Sequence, residues 1–498
     1  MERNVRAGLG LKPAATAQHL FGQPPGLATL FLTEMWERFS YYGMRSILIL
    51  YVVAAASGGG FGLDDRTASA IYGLYIAATY VFALFGGWIG DRLLGAQRAI
   101  MTGGSFIAVG NALLVMAGTR FFYLGLAVIV LGVGLLKPNI SVLVADLYPE
   151  GGAPRDAGFS IFYVGISVGA LLGSLLVPLC AARFGWRWGF VLPVLGMILG
   201  LAQFMLTRKW LGQSGRRPAS AERGSWLPVI VFLIVVSLLA LLTFTGQLVL
   251  NPIQIAAGAS WVIALCAAAF FAYLIFFARL DKTERRRVYV MAALFAAYAA
   301  FFAGFEQGGA SLNLFAERYT DRHIFGWILP AGVLQGTTAL VTILFAPLFA
   351  ALWIVLGRRG KNPTPPVKFA IGLALLGFGY IVMYFASRYV VGGAQVSPMW
   401  LLITYFLQEC GDLCLSPVGL SSMTKLAPTR FVGQVMGLWF LALALGNNLA
   451  GQLSGEYDAT NLSSLPGLFL KICGWSLASA AVMVLLTPLI KRLMGGVR

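Results

Sequence analysis

Eight ionisable side chains lie inside long apolar runs of this 498-residue chain. In TEMWERFSYYGMR, Glu34, Glu37, Arg38, Tyr41 and Arg45 fall at i, i+3, i+4, i+7 and i+11, a spacing that puts them in one stripe along a helix. Arg38 can pair within that stripe, with Glu34 as one option. Arg45, nearly two turns further on, reaches neither Glu and needs a partner from another helix. Lys137 follows in GLLKPN, Glu306 in FEQGG, and Glu409 and Asp412 in QECGDLCLSPVGLS. A charge at mid-bilayer costs at least about 2.5–3.5 kcal/mol on insertion scales, so each one asks for a partner or a task. Five carboxylates against three cations suit groups that gain and lose protons while exchanging partners. Ion pairs that merely pin helices together fit so large a set less well. Glu409 stays open between the two readings, because one turn from Asp412 it can face another direction.

Other chemistry is excluded. There is no P-loop, no HExxH and no Ser/His/acid set, and SGGGFG reads as an external loop rather than a nucleotide cradle. His19 and His323 fall outside the apolar runs, so proton coupling would rest on carboxylates. Cys180, Cys266, Cys410, Cys414 and Cys473 sit in apolar stretches without metal-ligand spacing and read as reduced thiols, so no metal or cofactor is expected. Asp91 and Arg92, in GDRLLG at the end of the second apolar run, are read as gating residues. Asp91 is placed to cap a neighbouring helix or to meet a basic residue when that side closes. Tyr42, Tyr80 and Trp439 alone would be packing or interfacial aromatics. Tyr41 and Tyr42 carry more weight because they follow the charged stripe.

The elements that must hold these groups are membrane helices. Hydrophobic residues make up 59% of the chain and charged ones 11%, with a mean hydropathy of +0.80. No ordinary soluble protein has that composition. A hydrocarbon core of about 30 Å takes roughly 20 apolar residues per helix. The runs predict helices over 27–56, 67–90, 96–118, 121–144, 157–181 and 187–207, two more over 226–248 and 252–279, and six over 288–318, 326–356, 366–387, 396–424, 430–453 and 466–492. The fourteen spans divide the chain into a segment 1–26 with no signal-peptide core, a six-helix bundle 27–207, a linker with two added helices 208–287, and a second bundle with a short tail 288–498.

The net charge of +17 belongs to the connectors rather than to a nucleic-acid surface. Of 36 Lys and Arg, 25 fall on the side of the N-terminus and eight on the other side, with only Arg38, Arg45 and Lys137 inside the spans. That bias puts both termini in the cytoplasm. GGWIGDRLLGAQR after the second helix and WIVLGRRGKNP at the matching place in the second half form a weak internal repeat. Two six-helix halves with such a connector resemble the major facilitator fold, an all-α membrane architecture with its site between the halves near the midplane.

TEMWERFSYYG also resembles the ExxERFxYYG signature of the proton-dependent oligopeptide transporter family, and GGWIGDRLLG, GLLKPN, DAGFSIFYVGIS, FEQGG and LSPVGLSSMTKLAP are similar to its motifs in order and spacing. The resemblance implies a proton-coupled symporter of di- and tripeptides in a bacterial inner membrane, expected to be a monomer among lipids. It ties Glu34, Glu37 and Arg38 to proton coupling. Arg38, Arg45 and Lys137 would face the peptide carboxylate, and Glu306 would take up a proton and pair with Arg45. Asp412 would face the peptide ammonium and Lys137. Tyr42, Tyr80, Trp439 and Ser416 would shape the pocket. Three positions depart from the pattern. Asp412 stands where Glu is usual, and Ser167 and Thr338 stand where Asn is usual, so neither hydroxyl offers the paired donor and acceptor of an amide. A related carrier of nitrate or another small anion is the nearest rival, and a membrane scaffold or enzyme without substrate flux a more distant one.

Overall fold

The computed structural model describes residues 22–116, 118–148, 152–216, 225–247, 251–324, 326–457 and 461–495. Most of the expected N-terminal segment, with His19, part of the linker and the last residues of the tail lie outside that set. The first bundle consists of α1 (Pro25–Val53), α2 (Asp65–Ile89), α3 (Ala96–Val115), α4 (Thr119–Asp146), α5 (Gly152–Phe184) and α6 (Trp186–Thr207). The added pair is α7 (Leu227–Phe244) and α8 (Pro252–Phe276). The second bundle consists of α9 (Lys282–Phe305), continued by α10 (Ser311–Tyr319), then α11 (Gly336–Arg358), α12 (Pro365–Val391), α13 (Met399–Leu426), α14 (Val432–Ser454) and α15 (Leu465–Leu493). With α9 and α10 counted as one broken span, fourteen spans stand among the described residues, in the expected six, two, six order.

Helix ends follow local chemistry. Proline occupies the first turn of α1, α8, α12 and α15, where its missing N–H costs nothing. Asp64 caps α2 through the Thr67 amide at 2.9 Å. Asp281 and Glu284 form a capping box that starts α9 at Lys282, so the basic stretch expected as a linker up to 287 supplies its first turns instead. The span expected as continuous over 288–318 breaks into a short 3-10 turn at Glu306–Gly309. Crowding explains the choice of residue: a Cβ at Gly309 would lie 1.8 Å from the Tyr72 hydroxyl. The next span starts later than 326, because a small hairpin of β1 (His323–Ile324) and β2 (Trp327–Ile328) and a 3-10 turn at Ala331–Gln335 precede α11. The end of α2 widens into a π turn, Gly90–Leu94, which carries Asp91 and Arg92.

Eleven of the spans are long and apolar enough to cross a membrane. Outside that set are α7 and the two helices that carry most of the interior charge, α1 and α13. These last two hold their place by packing against other helices, α1 along α5 and α6, α13 along α12. The bundles meet where α2 lies on α14 and α5 on α11. At the first seam the backbones touch, since a Cβ on Gly73 would come within 2.8 Å of the Gly451 Cα.

Candidate functional site

The N-terminal end of α1 defines one face of the protein, here the basic face. The charged stripe begins about three turns in from it and turns inward: Glu34, Glu37, Arg38 and Arg45 are all buried. Arg38 Nε reaches Glu34 Oε1 at 3.0 Å and also donates to the Glu37 carboxylate. Its guanidinium lies 5.1 Å from the centre of the Tyr41 ring. Among the described residues, Glu34 Oε2, Glu37 Oε1 and Arg38 Nη2 have no hydrogen-bond partner. The cluster is thus neutralised in part and keeps hydrogen-bonding capacity for water, a proton or a ligand.

Arg45 finds its partner in the other bundle. Its Nη2 donates to Glu306 Oε2 at 2.5 Å, and its Nε donates to the Tyr72 hydroxyl at 2.5 Å. Glu306 can reach across because it sits at the break between α9 and α10. Tyr42 stacks against the same guanidinium at 5.6 Å. Further toward the face opposite the basic one, Arg318 grips Asp65 with two bonds of 2.7 Å, and Asn313 Nδ2 donates to the Ser46 carbonyl at 2.9 Å. All three links join the first bundle to the second.

The basic half of the interior is open by contrast. Lys137 has no carboxylate within ion-pair distance among the described residues and instead lies 4.4 Å above the Tyr80 ring. Asp412 accepts from Ser416 Oγ on its own helix, so the Lys137–Asp412 approach implied by the family resemblance is not made here. The physical reason is that α4 and α13 make no extended contact. Asp91 and Arg92 are exposed and, among the described residues, cap nothing across the bundles.

The pocket positions also find their places. Ser416 Oγ lies 3.1 Å from the Tyr298 hydroxyl, and Tyr298 stacks on Trp439 at 3.7 Å. Gly419 makes room for that indole, because a Cβ there would be 2.3 Å from Trp439 Cη2. Ser167 is buried and turns its hydroxyl to the Tyr163 carbonyl at 3.3 Å, while Thr338 turns its own to Gln335 at 3.0 Å. Glu409 Oε1 lies within hydrogen-bond distance of Thr342 Oγ1 on α11. Tyr72, Tyr298 and Thr342 went unnoticed in the sequence. Each is a polar residue in a largely apolar run, and only its partner across helices gives it meaning.

A two-bundle helical membrane protein with charges buried along the seam, paired on one side and parted on the other, has the architecture of a major facilitator transporter. The POT family model matches residues 97–467. The chain is 41% identical over 491 residues to the peptide transporter YePEPT of Yersinia enterocolitica subsp. palearctica, covering 95% of this chain and 96% of that protein. It is 34% identical to a di-/tripeptide transporter of Lactococcus lactis subsp. lactis, over 97% and 99% of the two chains. A crystal structure of a mutant peptide transporter POT in complex with alafosfalin superposes with a TM-score of 0.88 at 38% identity, over 96% of this chain and 98% of that one. The chain belongs to the POT family.

Proposed function

We propose that this protein is a proton-coupled symporter that imports di- and tripeptides across a bacterial inner membrane, acting as a monomer with both termini in the cytoplasm. The observation that carries the reading is the division of charge between the bundles. Arg38, Arg45 and Lys137 stand in the first, where Glu34 and Glu37 pair with Arg38, and Glu306, Glu409 and Asp412 stand in the second. A zwitterion of peptide length suits such a cavity: its carboxylate would turn to the cations and its ammonium to Asp412. Lys137 has no ion pair to give up before it meets a ligand carboxylate.

Coupling follows from what each proton would release. Protonation of Glu306 removes the anion that holds Arg45, which loosens a buried link between the bundles and leaves Arg45 free for the ligand. Lys137 and Asp412 would approach when the basic half closes, with Asp91 and Arg92 coming to the seam. The orientation rests on the Lys and Arg bias, which makes the basic face cytoplasmic and the present arrangement inward-facing.

An anion carrier would use the cations alone and leave three carboxylates beside a negative ligand, which is unfavourable. Reconstitution in liposomes tests the choice. Uptake and exchange of Ala-Ala driven by a proton gradient, without uptake of nitrate or free amino acids, is expected. Absence of flux for every small peptide tested overturns the reading.

A further inference from the structure

Of the five carboxylates in the spans, Glu409 alone has, among the described residues, neither an ion pair nor a part in the exchange of partners above. It is 5% exposed, and among the described residues no Lys, Arg or His lies within ion-pair distance of it. Its Oε1 meets Thr342 Oγ1 on α11. The same Oγ1 lies 3.0 Å from the Thr338 carbonyl oxygen, one turn back on that helix.

A hydroxyl has one hydrogen to give. If Glu409 is ionised, both neighbours of Thr342 Oγ1 are acceptors and compete for that hydrogen. A buried anion is then left with at most one shared donor and no cation, an unfavourable arrangement. If Glu409 is protonated, the conflict vanishes: Glu409 donates to Thr342, and Thr342 donates to the Thr338 carbonyl. Asp412, one turn further along α13, has the opposite setting. Ser416 Oγ gives its hydrogen to Asp412 and is placed to accept one from Tyr298, so that chain ends on an acceptor.

We propose that Glu409 is a proton-binding site separate from Asp412, occupied in the conformation described here and held by the Thr342 hydroxyl. The groups around it fit. On its own helix stand Asp412 and Cys410, and Tyr42 of α1 and Tyr163 of α5 lie near enough to feel its charge. From α9, Tyr298 serves Ser416 beside Asp412, and α11 offers the two threonines. On α12, Lys368 sits 4.2 Å above the Trp353 ring, close to Cys414 rather than to Glu409. Among the described residues, no cation stands within ion-pair distance to compete with the proton.

Its part in transport rests on the proton-coupled reading, but its protonation does not, and two measurements keep them apart. Infrared spectra of the reconstituted protein at neutral pH should contain a carbonyl band of a protonated carboxylic acid that is lost in Glu409→Gln and kept in Asp412→Asn. Thr342→Val should shift that band and Thr342→Ser should restore it. A spectrum unchanged by Glu409→Gln overturns the proposal, whatever the transport results. The second measurement is the charge moved per peptide, taken from the reversal potential in liposomes. If wild type shows no proton-driven uptake, the functional reading fails and the infrared result still decides the site. If wild type couples, Glu409→Gln should move fewer charges per peptide, whereas an unchanged ratio overturns a role for Glu409 in coupling.

Discussion

The two halves of the seam between the bundles differ in how their charges are satisfied. Away from the basic face, Arg45 and Glu306, Arg318 and Asp65, and Asn313 and Ser46 bridge the bundles directly, and α2 touches α14 at Gly73 and Gly451. Toward the basic face, Lys137 rests on an aromatic ring, Asp412 on a serine of its own helix, and Asp91 and Arg92 are exposed. The first set lets the bundles lock; the second has capacity to spare. A buried ion pair is a weak source of net stability, but removing one partner of it is costly. Such pairs therefore serve better as switches than as fasteners, provided a proton or a ligand can replace the missing partner.

Lys137→Ala should have the largest effect, because it removes the interior cation of the transport site that, among the described residues, has no ion pair to give up before it meets a ligand carboxylate. Proton-driven accumulation of Ala-Ala in liposomes should fall to background, and accumulation at the wild-type level would show that the open half does not bind the ligand carboxylate. Glu306→Gln comes next and breaks the locked half where the gradient would act. Gln imitates the protonated acid but cannot release a proton, so concentrative uptake should be lost while exchange of labelled for unlabelled peptide persists. Peptide concentrated by a proton gradient in this variant would move the coupling site to Glu34, Glu37 or Asp412.

Arg318→Ala tests the locked half at its edge. A partly exposed pair of this kind contributes on the order of 1 kcal/mol, so its loss should shift the populations of the two conformations about fivefold toward one open opposite the basic face. Spin labels on the outer ends of α2 and α14 would report that shift as a longer distance; an unchanged distribution would mean that the pair only follows the closure. The smallest effect is expected for Ser167→Asn. An amide can satisfy its own helix and still offer a donor to a ligand, so inhibition by a panel of dipeptides should tighten a few-fold or change order. An identical panel would place Ser167 away from the ligand.

Membrane residence, the number and order of spans, and the stripe on α1 were legible in the sequence, because hydropathy and i, i+3, i+4 spacing are properties of one helix. The Glu34–Arg38 contact follows from that spacing alone, and so does the need of Arg45 for a partner elsewhere. The family resemblance points to Glu306 as the residue that answers that need, and the tertiary structure makes the pair by breaking a helix at Glu306, which brings its carboxylate to the guanidinium. The tertiary structure likewise decided the separation of Lys137 from Asp412 and the threonine that singles out Glu409. Each depends on how far apart two helices stand and how they are rotated, and the period of a single helix carries no record of either.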